Sequence, residues 1–124
     1  MIVKDGLYYT KTHEWLKVDG DVAFLGITDF AQNQMSDIVY VDFPKIGANI
    51  KAGEIVGTVE SVKSAEDFYS PIAGKVIEVN KVLEKTPEEI NKNPYDAWIV
   101  KLRINNPTEL NRLMNKEAYE KIIK

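Results

Sequence analysis

A chain of 124 residues is the size of one domain, large enough to bury a core without covalent staples. Its 44% hydrophobic and 28% charged residues are a globular composition, and a net charge of -3 argues against a broad nucleic-acid or anionic-membrane surface. Without cysteine there are no disulfides, thiolate metal sites or cysteine nucleophile, and a single histidine, His13, argues against a multi-histidine zinc centre.

In chain order, Leu7 to Thr10 is a short Tyr-rich segment that suits an opening strand. Glu14 to Val18 alternates, Asp19-Gly20 signals a hairpin turn because glycine supplies the positive φ, and Val22 to Ile27 is the return strand. Thr28 suits an N-cap for a helix over Asp29 to Gln34, with Asp29 favourable in its first turn. Asp37 to Phe43 is apolar on both faces and is expected deep in the sheet structure, ending at Pro44 and Gly47.

Glu54 to Val59 and Lys75 to Val79 read as strands, with Ala65 to Tyr69 less regular between them. Pro44-x-x-Gly47-x-x-Ile50 echoes Pro71-x-x-Gly74-x-x-Ile77, which suggests two similar β units. Thr86-Pro87-Glu88-Glu89 predicts a brief helix capped by Thr86 and ended by Asn93-Pro94. Trp98, Val100, Leu102 and Ile104 alternate with Ile99, Lys101 and Arg103 as a half-buried strand. Asn106-Pro107-Thr108-Glu109 starts a terminal helical pair over about 107–123, with Leu110, Leu113 and Met114 on one face and Ala118, Ile122 and Ile123 after a second cap at Asn115. Many short strands predict a mainly β sandwich or small barrel with peripheral helices.

No G-x-S-x-G, phosphate-binding or dinucleotide glycine pattern is present, so reaction chemistry would come from an added cofactor. Lys63, near the tip of the hairpin between the Glu54 and Ala65 runs, reads from spacing as an ordinary solvated lysine, while a type I turn centred on Val62-Lys63 also permits an accessible modification point. As an amine nucleophile with Glu60 or Glu14 as base, it would require desolvation that a hairpin tip does not offer. His13-Glu14-Trp15 fits an acid–base pair or a surface pair beside a core tryptophan. Glu60, Glu66 and Asp67 could hold a cationic group or simply deter strand pairing. No apolar run is long enough to span a membrane, and Met1 to Gly6 lacks signal or transit character, so a prokaryotic cytoplasmic protein is expected.

Glu60-Ser61-Val62-Lys63-Ser64 closely resembles the lipoylation site of the glycine cleavage system H-protein family. The resemblance extends over nearly the whole chain: Thr12-His13-Glu14-Trp15, Gly26-Ile27-Thr28-Asp29 with Ala31-Gln32, Asp37-Ile38-Val39, Ser70-Pro71-Ile72-Ala73-Gly74, Val76-Ile77-Glu78-Val79-Asn80, Asn91 and Asn93-Pro94-Tyr95. It departs at Ser36, where the family usually has glycine, and at Asp96-Ala97, where a glycine-containing loop is one residue longer.

The resemblance implies one lipoyl-carrier domain over residues 1–124, a lipoyl-type barrel-sandwich hybrid with short peripheral helices and a C-terminal helical segment. It implies lipoic acid in amide linkage to Lys63, placed by a lipoyl-attaching enzyme, and a carrier that is not itself an enzyme. The pyridoxal-phosphate P protein would load an aminomethyl group from glycine, the T protein would pass the one-carbon unit to tetrahydrofolate, and the L protein would reoxidise the arm. On matching positions Glu14, Asp67 and, more weakly, Thr12 would contact the loaded arm. The alternative is an H-like relay that donates lipoate to other 2-oxoacid dehydrogenase subunits.

Overall fold

In a computed structural model, which describes residues 1–124, the first hairpin joins β2 (Glu14–Asp19) to β3 (Val22–Ile27). Asp19 pairs with Val22, so the central turn residues are Gly20-Asp21, one position later than the Asp19-Gly20 expectation. Only Gly20 has positive φ, at 63°, which is the pattern of a II′ turn with glycine first.

β1 (Tyr8–Tyr9) lies beside β2. After α1 (Asp29–Met35) come β4 (Ile38–Asp42), β5 (Asn49–Ile50), β6 (Ile55–Ser61), β7 (Ala65–Tyr69) and β8 (Gly74–Val79). Two short helices, α2 (Val82–Lys85) and α3 (Glu89–Lys92), lead to β9 (Val100–Ile104). A 3-10 helix, Pro107–Arg112, and α4 (Lys116–Ile122) follow. The strands form a six-stranded sheet, β1-β2-β3-β9-β8-β5, and a three-stranded sheet, β4-β6-β7. The chain is mainly β, as its many short alternating runs imply.

The main core holds Leu16, Leu25, Val59, Phe68, Val76 and Leu102 among its members. A smaller cluster joins Val3, Tyr9, Trp15 and Tyr119. Adjacent side chains of a strand point to opposite faces, so Leu16 enters the first cluster and Trp15 the second. The start of β2 is therefore covered on both sides. Burying a side chain such as Leu16 contributes about 1.5–3 kcal/mol, and covering both faces explains why Glu14, Trp15 and Leu16 are all buried in succession.

β4 departs from the expectation of a deeply buried strand. It is the edge of its sheet, and Val39 and Tyr40 are exposed. Its pairing slips between Ile38 and Tyr40, because Ile38 faces Ser61 while Tyr40 faces Glu60. The extra residue resets the alternation, so Ile38 and Val41 both point inward although three positions apart.

Thr86 does not cap α3; its hydroxyl donates back to the Val82 carbonyl at 3.0 Å. Trp98 lies before β9, on the outside against Phe24 at 5.6 Å, whereas Ile99 and Val100 are both fully buried. In the terminal segment the fully buried residue is Tyr119, not Ala118, Ile122 or Ile123. The two echoed segments do not share a backbone shape: Gly47 has φ 95°, while Gly74 opens β8. They pair with each other instead, Asn49 opposite Lys75 and Ile50 opposite Gly74.

Candidate functional site

The hairpin formed by β6 and β7 closes from Ser61 to Ser64, with Val62-Lys63 as the two central residues. Neither has positive φ, as a type I turn requires. The Ser61 amide donates to the Ser64 carbonyl at 2.7 Å. The Ser61 Oγ accepts from the amides of Lys63 and Ser64 at 3.1 and 3.0 Å, taking over the cross-turn role of a backbone carbonyl. The Val62 amide donates to the Asp37 carbonyl at 2.9 Å, which ties the tip to the start of the neighbouring strand. The loop is thus held by its own backbone and one serine while the Lys63 side chain stays exposed.

The Lys63 Nζ donates to the Gln34 carbonyl at 3.1 Å, near the C-terminal end of α1. No carboxylate pairs with it, since Lys101–Glu78 is the one salt bridge in the chain. Its exposure removes the desolvation that a nucleophilic amine needs, and Glu60 does not line the adjoining cleft as a base would.

That cleft has a volume of about 460 Å³. Ile27, Met35, Val59 and Phe68 give it an apolar lining, and Thr12, Glu14, Lys63 and Asp67 come together in its polar part with His13 and Glu66. An amphipathic occupant suits such a lining, with apolar contact along its length and acceptors for a cationic end.

Glu14 is not the surface residue that its sequence position allowed. It is 1% exposed and engaged at both oxygens. Oε1 accepts from the hydroxyls of Thr10 and Thr12, and Oε2 from the Tyr69 amide at 2.9 Å. Burial raises its pKa above 4.5, against the opposing pull of these hydrogen bonds. The Thr12 hydroxyl is therefore spent on orienting Glu14. Asp67 is exposed, and its Oδ1 accepts from the Thr58 hydroxyl across the β6–β7 pair at 3.0 Å. A second concavity, of about 420 Å³, shares Thr12 and Glu14 with the first and is lined also by Lys11, Tyr69 and Arg112.

His13 also leaves the surface. It is half-buried, with φ 71°, a left-handed conformation that histidine tolerates better than most residues. Its amide and carbonyl are both bonded, to the Thr10 carbonyl and the Thr28 amide, and its ring lies 4.6 Å from Phe30. Its Nδ1 meets the Tyr119 hydroxyl at 2.8 Å, and that hydroxyl meets Thr28 Oγ1 at 2.7 Å. The Thr28 Oγ1 caps α1 by accepting from Ala31, as its sequence position predicts. Tyr119 was not visible as a site residue from the sequence. Its partners lie 106 and 91 positions away, and no local pattern reports such a contact.

Comparison with known proteins identifies the family and the fold. The model of a family described as "Glycine cleavage H-protein" matches residues 7–124. A glycine cleavage system H protein of Leptospira biflexa serovar Patoc is 52% identical over 120 residues, covering 97% of this chain and 92% of the relative. A probable glycine cleavage system H protein of Thermoplasma volcanium is 54% identical over 121 residues, covering 98% and 97%. The crystal structure of a glycine cleavage system H protein from Mycobacterium marinum superposes with a TM-score of 0.87 at 30% identity, covering 96% of this chain and 97% of that one. The two-sheet architecture is thus of the lipoyl-type barrel-sandwich kind.

Proposed function

This chain belongs to the glycine cleavage H-protein family, and from that premise we propose that it carries lipoate in amide linkage on Lys63, across one carrier domain of residues 1–124. Members of the family are lipoyl carriers and not catalysts. The attached arm supplies a disulfide–dithiol couple that takes an aminomethyl group from glycine at the P protein, yields it at the T protein and is reoxidised by the L protein. A lipoyl-attaching enzyme would place it.

The observation that carries this reading is the position of Lys63: exposed at the tip of a rigid two-residue loop and on the lining of a cleft that also holds Glu14 and Asp67. The residues present fit the group. The apolar lining suits an aliphatic chain, and the two carboxyl groups suit a terminal ammonium. Glu14, locked by Thr10, Thr12 and the Tyr69 amide, would accept the amine from a preset direction, and Asp67 would add charge from the other strand. Seating the cargo there limits its access to water.

No helix is long and apolar enough to cross a membrane, and the relatives include a bacterium and an archaeon; a cytoplasmic site of action accords with both. Intact-mass measurement after co-expression with a lipoylation system tests the proposal. One lipoyl amide is expected on the wild-type chain and none on Lys63→Arg. An unmodified wild-type chain under those conditions would overturn it. Reconstitution with P, T and L proteins tests the carrier role, with failure of glycine decarboxylation by fully lipoylated protein as the contrary result.

A further inference from the structure

The link between the C-terminal helix and the cleft has a direction. Thr28 is fully buried, so its hydroxyl hydrogen needs an acceptor, and its Oγ1 already accepts from the Ala31 amide at 3.2 Å. The only other polar partner of that oxygen is the Tyr119 hydroxyl. Thr28 therefore donates to Tyr119, and Tyr119 donates to His13 Nδ1. The reverse order would strand the Thr28 hydrogen in a dry site, which costs more than a hydrogen bond returns. Every donor is used only if Nδ1 is an acceptor, so the proton of the neutral ring sits on Nε2. The Nε2 makes no hydrogen bond within the chain and is the ring nitrogen left for the cleft that His13 lines.

We propose that Tyr119 is a positioning residue of the cleft: its hydroxyl holds His13 uncharged and in the Nε2–H form, as a neutral donor to an acceptor atom of the arm. The inference rests on the carrier reading for the identity of that occupant, but not for the state of the ring. A charged His13 would repel an ammonium held by Glu14 and Asp67 in the same cleft; a neutral one donates a hydrogen bond without opposing it. The other titratable groups lining the cleft are Glu14, Lys63, Glu66 and Asp67. Burial holds the imidazole below its ordinary pKa of 6.5, which agrees with an uncharged ring at neutral pH.

The arrangement around Tyr119 suits a conservative test. Its ring stacks on Tyr9 with centroids 4.7 Å apart and planes 8° apart, so Tyr119→Phe removes the hydroxyl while keeping the stack. Nitrogen-15 spectra of the His13 ring are recorded at pH 7 on the unmodified protein, where no lipoate is needed. The wild type should show Nδ1 unprotonated and Nε2 protonated. Tyr119→Phe should show a mixture of both neutral forms, and Thr28→Ser, which keeps the donor chain, should match the wild type. In lipoylated, loaded protein, Tyr119→Phe should raise the rate of aminomethyl loss roughly three- to tenfold, about the worth of one hydrogen bond.

A wild-type ring that is charged or protonated on Nδ1 overturns the proposal, as does an unchanged ring state in a folded Tyr119→Phe. Unchanged cargo loss with an altered ring state overturns the role toward the arm. Failure of the carrier reading itself shows separately, as absence of modification at Lys63.

Discussion

The side-chain amide of Asn91 donates to the backbone carbonyl of Ser36 at 2.9 Å, and Ser36 is one of two residues, with His13, that hold a positive φ without being glycine. Ser36 ends α1 with φ 67° and ψ -153°, a region that side chains rarely enter. Asn91 also accepts from the Ile38 amide at 2.9 Å and donates to Gln32 Oε1 at 2.9 Å, so three contacts from α3 impose the geometry. Ser36→Gly should therefore stabilise the fold by about 1 kcal/mol, strain relief outweighing the added freedom of the unfolded chain. Calorimetry should show a melting temperature about 4 °C higher. An unchanged or lower value would mean that Ser36 sits there without strain. Asn91→Ala should cost roughly 2–3 kcal/mol, because it leaves the Ile38 amide without its partner.

Glu14 sets a pH signature. With its pKa raised by burial, the folded chain holds this proton more tightly than the unfolded chain does. Its contribution to stability is complete below about pH 4.5 and is lost as pH rises through the folded pKa. His13 works in the opposite sense: lowered from 6.5, it contributes fully above that value and loses its contribution as pH falls through its folded pKa. Glu14→Gln removes only the first effect. Its amide can turn its oxygen to the Tyr69 amide while Thr10 and Thr12 accept from its nitrogen, so the variant should fold. Urea unfolding across pH 4 to 8 should show the variant gaining on the wild type as pH rises above 4.5. A constant gap between the two would refute the burial argument.

Ser61 should matter to modification more than to folding. Removing its Oγ in Ser61→Ala releases the amides of Lys63 and Ser64 at an exposed tip, where water replaces the lost contact for about 1 kcal/mol or less. A looser tip presents the lysine in many orientations, so kcat/KM for attachment of lipoate should fall several-fold with little change in melting temperature. Equal modification rates for Ser61→Ala and wild type would show that the attaching enzyme does not read the loop's shape.

Trp15 lies flat against Gly26, where an added methyl would stand 2.5 Å from the indole carbons. Its Nε1 donates to the carbonyls of Ile27 and Pro94, both at 3.0 Å. Gly26→Ala must push the ring away from backbone that it also hydrogen-bonds, at a cost of about 2–3 kcal/mol. Chemical denaturation should report that loss, with a red shift of tryptophan emission in the native state. A variant as stable as the wild type would show that the indole has room to move.

Elements whose cause is local were legible in the sequence. Thr28 caps α1, glycine makes the β2–β3 turn, Asn106 and Asn115 start the terminal helices, and the β6–β7 hairpin holds Lys63 at its tip. The main β character followed from alternation, which burial enforces strand by strand. The turn shift to Gly20-Asp21 and the Thr86 contact with Val82 are local, but the larger misreadings depend on what packs from elsewhere. A bulge at Val39 turns an apolar run into an edge strand, and burial of Glu14 and Tyr119 depends on segments distant in sequence. Lys63 stood out through the family resemblance, since spacing alone does not distinguish it from any other hairpin lysine.

The His13–Tyr119 contact also orders events in time. The hairpin bearing Lys63 closes over a few neighbouring residues, whereas His13 must meet a residue 106 positions later. On the ribosome the lysine and its loop emerge well before Tyr119, the side chain that holds the His13 ring of the cleft. An attaching enzyme that reads only the loop can act on a growing chain; one that reads the held His13 ring must wait for Tyr119. Lipoate on ribosome-stalled chains that already expose the hairpin but not α4 would reveal the first kind, and its absence from them the second.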